Sequence, residues 1–251
     1  MRLVLASNNA KKLAELQALF DGLGVELVRQ GELGVTEAEE PHVTFIENAL
    51  AKARHAAAAT GLPAIADDSG LCVDALGGMP GVISAHYATI VVQACVQPDE
   101  EAQKSSRSRE RVARIEDIVA QTARIEDIIA RTDRAEARET ARRIQDDANN
   151  SLLLEKLRDV EDRRACFMCT LVAIRAADDP QPLVAMGRWN GEILRQRDGE
   201  GGFGYDPLMF IPSFGATVAS LSKEVKNAHS HRALAAAQMK QLMQQAWHLA
   251  G

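Results

Sequence analysis

Residues 63–70 read PAIADDSG, a short apolar run that is followed by two adjacent carboxylates, a hydroxyl and a glycine. Such a run, closed by turn-forming residues, is typical of a buried strand that would carry Asp67, Asp68 and Ser69 to the carboxyl edge of an open α/β sheet. Mg²⁺ with phosphate oxygens would suit two acids at that edge, because magnesium prefers carboxylate, water and phosphate ligands. The octapeptide alone is equally consistent with an exposed turn, since Asp, Ser and Gly are common turn residues.

A second polar segment, residues 7–12 (SNNAKK), separates the apolar run at residues 2–6 from leucines at helical spacing. The pattern predicts a strand-to-helix turn. Such a turn directs backbone N–H groups and the positive end of the helix dipole at the sheet edge, where a phosphate would bind and Lys12 would add a charge. The alternative is a Ser or Asn N-cap followed by two solvated lysines.

An alanine-rich segment that begins near Thr44 predicts a long helix, preceded by an acidic loop that contains Glu40. Glu47 lies three residues after Thr44, which is the spacing of a capping box. Lys52, on the same helix, would project either toward the sheet edge or into water, and the sequence leaves both open.

A glycine-rich segment, DGEGGFGYDP at residues 198–207, satisfies the G-x-G-x-x-G pattern. The Tyr-Asp-Pro that follows prevents the helix that a dinucleotide fingerprint requires, so we reject a Rossmann site. A loop of this composition would instead present Phe203 and Tyr205 as an aromatic face for stacking on a nucleobase.

The last helix is predicted to begin after Ser230 as its N-cap, which places His231 and Arg232 in the first turn. An arginine there opposes the helix dipole. Conflicts of this kind between local preference and sequence occur where a residue serves a ligand.

The composition argues against a general nucleic-acid partner, because 29 basic and 35 acidic residues give a net charge of −6. The sequence opens without a charged-then-apolar leader, and its apolar runs are shorter than the roughly 18 residues of a membrane span. We therefore expect a soluble cytoplasmic protein with no membrane partner. Cys166 and Cys169 form a C-x-x-C, but their strand-like surroundings favour core thiols over a metal site.

Residues 89–146 differ in character from the flanking sequence, because charges of both signs alternate with isolated Ile and Val. Residues 113–122 (ARIEDIVAQT) and 123–132 (ARIEDIIART) repeat with eight of ten positions identical. We predict an inserted helical segment with a solvated, charged face. The domain organisation would then be residues 1–88 and 147–251 as two parts of one domain, with 89–146 inserted.

Six motifs, in order, resemble the inosine/xanthosine triphosphate pyrophosphatase family, also called RdgB-type. They are SNNAKK, EE-x(4)-FIENA, AIADDSGL, GGMPGV-SA-Y, GGFGYDP and K-x(3)-SHRA. The resemblance implies a two-lobed α/β fold with a long mixed β-sheet flanked by helices, an active-site cleft between the lobes, and a homodimer. It also implies Mg²⁺-dependent hydrolysis of ITP, dITP and XTP to the monophosphate and pyrophosphate.

Carried over by position, the resemblance makes Asp68 the catalytic base and a metal ligand, and Glu40 a second acidic residue at the metal. Lys52 would help Lys12 to hold the triphosphate. Donors near His231 and Arg232 would pair with a 6-keto oxygen, where adenine presents an amino group. The positions that match substrate contacts are Ser7, Asn8, Asn9, Ala10, Lys11, Lys12, Ser69, Phe203, Gly204, Tyr205, Asp206, Lys226, His231 and Arg232.

The sequence departs from the family pattern at two points. His86 stands where the family usually has Arg, and about fifty extra residues follow it. The insertion could be a natural elaboration, a tandem duplication or an engineered segment. An alternative function is therefore a nucleotide-binding assembly protein whose inserted helices associate with other helices.

Overall fold

Seven β-strands form one mixed sheet in the computed structural model, which describes residues 1–89 and 134–249. They are β1 (Arg2–Leu5), β2 (Glu26–Arg29), β3 (Ala64–Val73), β4 (Arg164–Ile174), β5 (Leu183–Ile193), β6 (Met209–Ile211) and β7 (Ala216–Thr217). The spatial order is β2-β1-β3-β4-β5-β6-β7. β1 pairs in parallel with β2 and β3, whereas β6 pairs antiparallel with β5 and β7. The predicted α/β class with a mixed sheet is confirmed.

The α-helices of the described residues that bear on the site are α1 (Ala10–Leu19), α2 (Phe45–Thr60), α3 (Arg134–Lys156), α4 (Lys223–His229) and α5 (His231–Ala246). Thr44 caps α2 as predicted, because its Oγ1 accepts a hydrogen bond from the backbone N–H of Glu47 at 3.3 Å. The Glu47 carboxylate accepts from the Thr44 hydroxyl at 2.6 Å. Among the described residues, no helix is both long enough and apolar enough to cross a membrane.

The chain divides into two units, of which the first comprises Met1–Cys72, Cys166–Asn190 and Ser222–Gly251. Its sheet residues alternate between two buried clusters, as side chains along a strand do. Leu5 and Ile65 belong to the cluster that contains Leu16 of α1 and Met239 of α5. Val4 and Ala66 belong to the cluster that contains the alanines of α2. In this unit, helices therefore cover both faces of the sheet.

The approach of α5 to β5 in this unit is unusually close, and Gly187 makes it possible. A Cβ atom at Gly187 would lie 1.8 Å from the backbone oxygen of His231 and 2.6 Å from the backbone nitrogen of Ala235. The first turn of α5, which carries His231 and Arg232, is thus seated directly on the strand.

The second unit comprises Val73–Ala165 and Gly191–Leu221. Ala148 and Leu152 of α3 pack there against Tyr87 and Ala88. α3 runs without interruption through position 146, where the sequence predicted the end of the insertion. The predicted boundaries remain a prediction, and the predicted repeat at residues 113–132 lies outside the described residues.

Candidate active site

The acidic pair Asp67 and Asp68 lies inside β3, which continues to Val73, so the predicted end of the strand at the acids is wrong. β1 pairs with β3 in parallel as far as Leu5 and Ile65. The two carboxylates therefore lie beyond the carboxyl end of β1, beside the turn into α1. Because successive residues of a strand point to opposite faces, Asp67 and Asp68 face different helices.

Asp67 faces α1 and α5 and is held by two hydrogen-bond donors and one further ion pair. Lys12 Nζ lies 3.0 Å from its Oδ1, and the hydroxyl of Ser69 donates to its Oδ2 at 3.1 Å. Arg232 Nη2 lies 3.7 Å from the same Oδ2. Burial by itself would raise the pKa of Asp67, but the positive charges of Lys12, Arg232 and Lys52 outweigh it and hold that pKa well below its usual range. Asp67 is therefore a permanently ionised anchor.

Asp68 faces α2 and has a different environment. Lys52 Nζ lies 3.2 Å from Asp68 Oδ1 and 3.2 Å from Glu40 Oε2, so one ammonium group joins two carboxylates. Burial raises the pKa of Asp68 to about 6 against the opposing charge of Lys52, and the nearby Glu40 adds to the rise. Asp68 Oδ2 is buried and accepts no hydrogen bond from the described residues. This oxygen is a buried acceptor, and the Asn48 side chain is close enough to favour the ionised form of Asp68 against the effect of burial.

The neighbouring carboxylates act on the pKa of Lys52 against the effect of burial. Burial would lower the pKa of the Lys52 ammonium, but Asp68, Asp67 and Glu40 raise it above its ordinary value. Lys52 therefore stays charged, and the sequence-based alternative of a lysine that projects into water is wrong, because only 9% of its surface is exposed.

The oxygens of Glu40 and Asp68 are suited to a hard cation. Within residues 1–89 and 134–249, no group of three or more His, Cys, Asp or Glu side chains could hold a metal ion. Two carboxylates nevertheless fit Mg²⁺, which commonly keeps several waters and completes its coordination with substrate phosphates. The unpaired Asp68 Oδ2 supplies the acceptor that such an ion would need.

The turn into α1 forms where the sequence predicted it. Asn9 Oδ1 accepts from the backbone N–H of Lys12 at 3.2 Å, and the backbone N–H of Asn9 donates to Ser7 Oγ at 3.2 Å. Asn8 donates to Glu37 Oε1 at 3.3 Å. An Asn cap is thus present, but Lys12 is not a solvated lysine because it pairs with Asp67. Ala10 and Lys11 are the first two residues of α1; phosphate binding by this turn stays a prediction.

The first turn of α5 has the predicted cap, since Ser230 Oγ accepts from the backbone N–H of Ala233 at 3.2 Å. Arg232 is 4% exposed, and its Nη1 donates to Glu15 Oε2 at 2.9 Å. Its Nη groups thus face carboxylates, and its Nε is a buried nitrogen with no hydrogen-bond partner among the described residues. Recognition of a base by Arg232 stays a prediction.

His231 stacks on Phe167 with ring centroids 5.0 Å apart, and its Nδ1 is buried without a hydrogen-bond partner among the described residues. Burial, followed by the charges of Arg232 and Lys226, lowers the pKa of His231 well below its ordinary value. The imidazole is therefore neutral, and Lys226 of α4 is close enough to act on it electrostatically.

Three residues that support these groups were missed from the sequence. Glu15 lies three positions after Lys12 on α1, and that helical spacing was a usable signal for a shared face. Asn48 accepts from the backbone N–H of His42 at 3.0 Å and donates to its carbonyl at 3.2 Å, which holds the loop after Glu40. Phe167 gave no signal, because a strand aromatic is ordinarily a core residue.

In the second unit, the predicted aromatic loop presents one ring. The Phe203 side chain is 42% exposed, whereas Tyr205 is 5% exposed and its hydroxyl donates to the backbone oxygen of Ser84 at 2.9 Å. The expectation of a two-ring aromatic face is wrong for Tyr205, because its phenol satisfies a buried carbonyl. Asp206 is also buried and accepts from the backbone N–H of Phe203 at 3.0 Å.

The structure thus gathers the predicted residues of the first unit around the acidic pair. They are Lys12, Glu40, Lys52, Ser69 and Arg232, with His231 and Lys226 beside Arg232. Residues 203–206 form a separate cluster in the second unit.

Cys166 and Cys169 are buried free thiols, as predicted. Burial raises the pKa of Cys169 to about 12, so the thiol is protonated at neutral pH.

Comparison with known proteins identifies one family. The sequence model of the Ham1 family matches residues 3–140 and 129–242. A dITP/XTP pyrophosphatase of Leptothrix cholodnii is 60% identical over 250 residues, which is 100% of both chains. A dITP/XTP pyrophosphatase of Methylibium petroleiphilum is 57% identical over 247 residues, which is 98% of this chain and 99% of the relative.

Solved structures agree with the sequence comparison. The structure of a HAM1 protein from Coxiella burnetii superposes with a TM-score of 0.73 at 35% identity, covering 98% of this chain and 100% of that one. The Staphylococcus aureus Ham1 protein gives a TM-score of 0.70 at 31% identity, with 98% and 99% covered.

Proposed function

This chain belongs to the Ham1 family, and on that premise we propose that it is a pyrophosphatase of deaminated purine nucleoside triphosphates. Its substrates would be dITP, ITP and XTP, and its products the nucleoside monophosphate and pyrophosphate. The two relatives are dITP/XTP pyrophosphatases, which supports the substrate class, and the geometry of the acidic pair supports hydrolysis.

The observation that carries the proposal is that two neighbouring carboxylates of β3 meet different partners, since Asp67 pairs with Lys12 at 3.0 Å and Asp68 pairs with Lys52 at 3.2 Å. The pKa of Asp67 is held low by Lys12 and Arg232 despite burial, while burial raises that of Asp68 to about 6. Pairs of carboxyl groups separated in this way commonly divide an anchoring role from a proton-transfer role. Asp67 would orient the cationic groups, and Asp68 would accept a proton.

In the proposed reaction, the Asp68 carboxylate orients the attacking water molecule. The water oxygen forms a bond to the α-phosphorus, its proton passes to Asp68, and the bond from that phosphorus to the pyrophosphate oxygen breaks.

Glu40 and Asp68 would hold Mg²⁺, which supplies a Lewis acid that neutralises phosphate charge. Lys52 already neutralises both carboxylates at 3.2 Å, so it is also placed to contact a phosphate that enters between them. Lys12 and the N-terminal turn of α1, residues 7–12, would bind the remaining phosphates through charge and backbone N–H groups.

Base selection would use the turn that carries His231 and Arg232. Arg232 Nε and His231 Nδ1 are the buried nitrogens there that lack partners among the described residues. Arg232 is a permanent donor, and a 6-keto oxygen would satisfy it. Adenine would place an amino group opposite a donor, and such unpaired buried groups reject a substrate strongly.

The experiment is pyrophosphate release from dITP, ITP, XTP, dATP and dGTP with Mg²⁺. We expect a preference of at least about tenfold for the deaminated bases over dATP. Asp68→Asn should lower kcat by about 10²–10⁴-fold, whereas Asp21→Asn, the same change at an exposed carboxylate of the same unit, should leave kcat unchanged. Equal turnover of all five nucleotides, or full activity in Asp68→Asn, would refute the proposal.

The same premise extends to assembly and location. We propose a homodimer that acts in the cytoplasm, where the nucleotide pool resides. Sedimentation at micromolar concentration should give twice the chain mass of 27.2 kDa; a monomer at that concentration would contradict the dimer and leave the hydrolytic proposal standing.

A further inference from the structure

One face of α3 holds the backbone of Gly204 from two sides. The Gly204 N–H donates to Asp146 Oδ2 at 2.9 Å. Asn150 Nδ2 donates to the Gly204 carbonyl at 2.8 Å and to the backbone oxygen of Asp146 at 2.8 Å. Both backbone polar groups of one loop residue are therefore bound by two side chains of the same helix.

The same helical face also contacts the neighbouring aromatic ring. Arg142 Cζ lies 4.8 Å from the centroid of the Phe203 ring, which is a cation–π distance. Arg142, Asp146 and Asn150 are spaced four residues apart, so they lie along one side of α3. The helix thus contacts the side chain of Phe203 and the backbone of the next residue.

These contacts fix a segment that has little structure of its own. No strand or α-helix is present between the end of β5 at Ile193 and the start of β6 at Met209. Gly204 has φ of +60°, a left-handed conformation that residues with a side chain rarely adopt. A carboxylate that accepts a hydrogen bond from an N–H group forms a stronger bond than a neutral acceptor does. The hydrogen bond from Gly204 to Asp146 therefore stabilises the conformation of this turn.

We propose that Asp146 and Asn150 are positioning residues for the purine base. By fixing Gly204 they hold the exposed Phe203 ring, over which the Arg142 guanidinium lies, in the orientation in which a base stacks on it. The inference rests on the proposed function, since it assigns Phe203 to the base of that substrate. Neither residue need touch the nucleotide, and ordering the loop beforehand lowers the entropic cost of binding.

The kinetic test compares two adjacent aspartates of α3. Asp146→Ala should raise KM for dITP about tenfold and change kcat by less than about threefold, since stacking affects binding and not the reacting phosphate. Asp146→Asn should recover most of the affinity because its amide oxygen still accepts from Gly204. Asp147→Ala is the matched control, because the Asp147 carboxylate pairs with Arg197, with Oδ1 and Nη1 2.6 Å apart. The KM of the Asp147→Ala variant should equal that of the wild type.

A second readout does not depend on turnover. Hydrogen–deuterium exchange of the peptide that contains residues 199–206 should be faster in Asp146→Ala and Asn150→Ala than in Asp147→Ala. Calorimetry with ITP in the presence of EDTA measures affinity without hydrolysis. Asp146→Ala and Asn150→Ala should bind ITP more weakly than Asp147→Ala does. Both measurements use the full-length chain.

Three results would overturn the inference. The first is an Asp146→Ala variant whose KM and ITP affinity equal those of Asp147→Ala. The second is faster hydrogen exchange in Asp146→Ala without any loss of ITP affinity. The third is a fold-decrease of kcat in Asp146→Ala that equals or exceeds the fold-increase of KM. A wild-type protein that hydrolyses no purine triphosphate would instead refute the proposed function, and ITP calorimetry would still decide whether Asp146 supports nucleotide binding.

Discussion

Replacing Asp68 by Asn should change the free energy of unfolding in a pH-dependent way. The variant should be more favourable relative to the wild type at neutral pH than at acidic pH. Asp68 is 5% exposed, and its ionised form is disfavoured by burial and by the neighbouring charge of Glu40, although Lys52 opposes both. The Asn side chain has nearly the same shape and no charge. Lys52 keeps its contact with Glu40 at 3.2 Å in the variant, so the ammonium is not left unpaired.

The magnitude follows from the displacement of the pKa. A rise from the ordinary 3.8 to about 6 means that ionisation of Asp68 costs the folded state about 3 kcal/mol at neutral pH. The folded protein holds this proton more tightly than the unfolded chain does. The stabilisation is therefore complete below pH 3.8 and is lost as the pH rises through about 6.

The assay is urea unfolding of both proteins at pH 4.5 and pH 7.5 in buffer with a chelator. The free energy of unfolding of Asp68→Asn minus that of the wild type should be more positive at pH 7.5 by about 2 kcal/mol. The interaction with Lys52 is already included in this difference, because the Lys52 charge acts on the ionised form of Asp68 and helps to set its pKa.

Asp67→Asn is the control, because the pKa of the neighbouring Asp67 is displaced the other way by Lys12 and Arg232 in spite of burial. Its ionised form stabilises the fold at every pH above 3.8, so this variant should be less stable by a nearly constant amount from pH 4.5 to pH 7.5. Equal pH dependence in the two variants, or a flat difference for Asp68→Asn, would refute the assignment of opposite environments.

Three further substitutions test other contacts. Gly187→Ala should lower the free energy of unfolding by about 1–3 kcal/mol or more, because the new Cβ meets the backbone oxygen of His231; thermal unfolding would show it, and an unchanged Tm would contradict the close packing. Lys52→Met removes the charge that opposes the raised pKa of Asp68, so the acidic limb of the kcat/KM profile should move to higher pH; an unmoved limb would mean that Asp68 does not control it. Thr44→Ala should cost about 1 kcal/mol through loss of the α2 cap, while Thr44→Ser, which keeps the hydroxyl, should cost less in the same urea titration.

The sequence was sufficient for features that depend on near neighbours. The caps at Thr44 and Ser230 and the turn between β1 and α1 were predicted because each is set by residues within a few positions. The strand β4 was predicted from the apolar residues around Cys166 and Cys169, which are typical of a buried strand. Acidic, basic and aromatic motifs in a fixed order were also enough to indicate the family.

The tertiary structure decided which of two adjacent aspartates is the anchor. The sequence DDSG treats Asp67 and Asp68 alike, but the pleat of β3 turns one toward Lys12, 55 positions away, and the other toward Lys52. Arg232 meets Glu15 across 217 positions. Periodicity within one element says nothing about which distant helix will cover each face.

Tyr205 gives the same lesson for an aromatic residue. Its glycine-rich surroundings predicted an exposed ring, yet its hydroxyl reaches the backbone oxygen of Ser84, 121 positions away, and the ring is buried. Local composition determined that residues 199–206 form a turn. Only long-range contacts decided which side chain stays in solvent, since burial and pKa depend on charges and backbone groups that the fold, and not the neighbouring sequence, brings near.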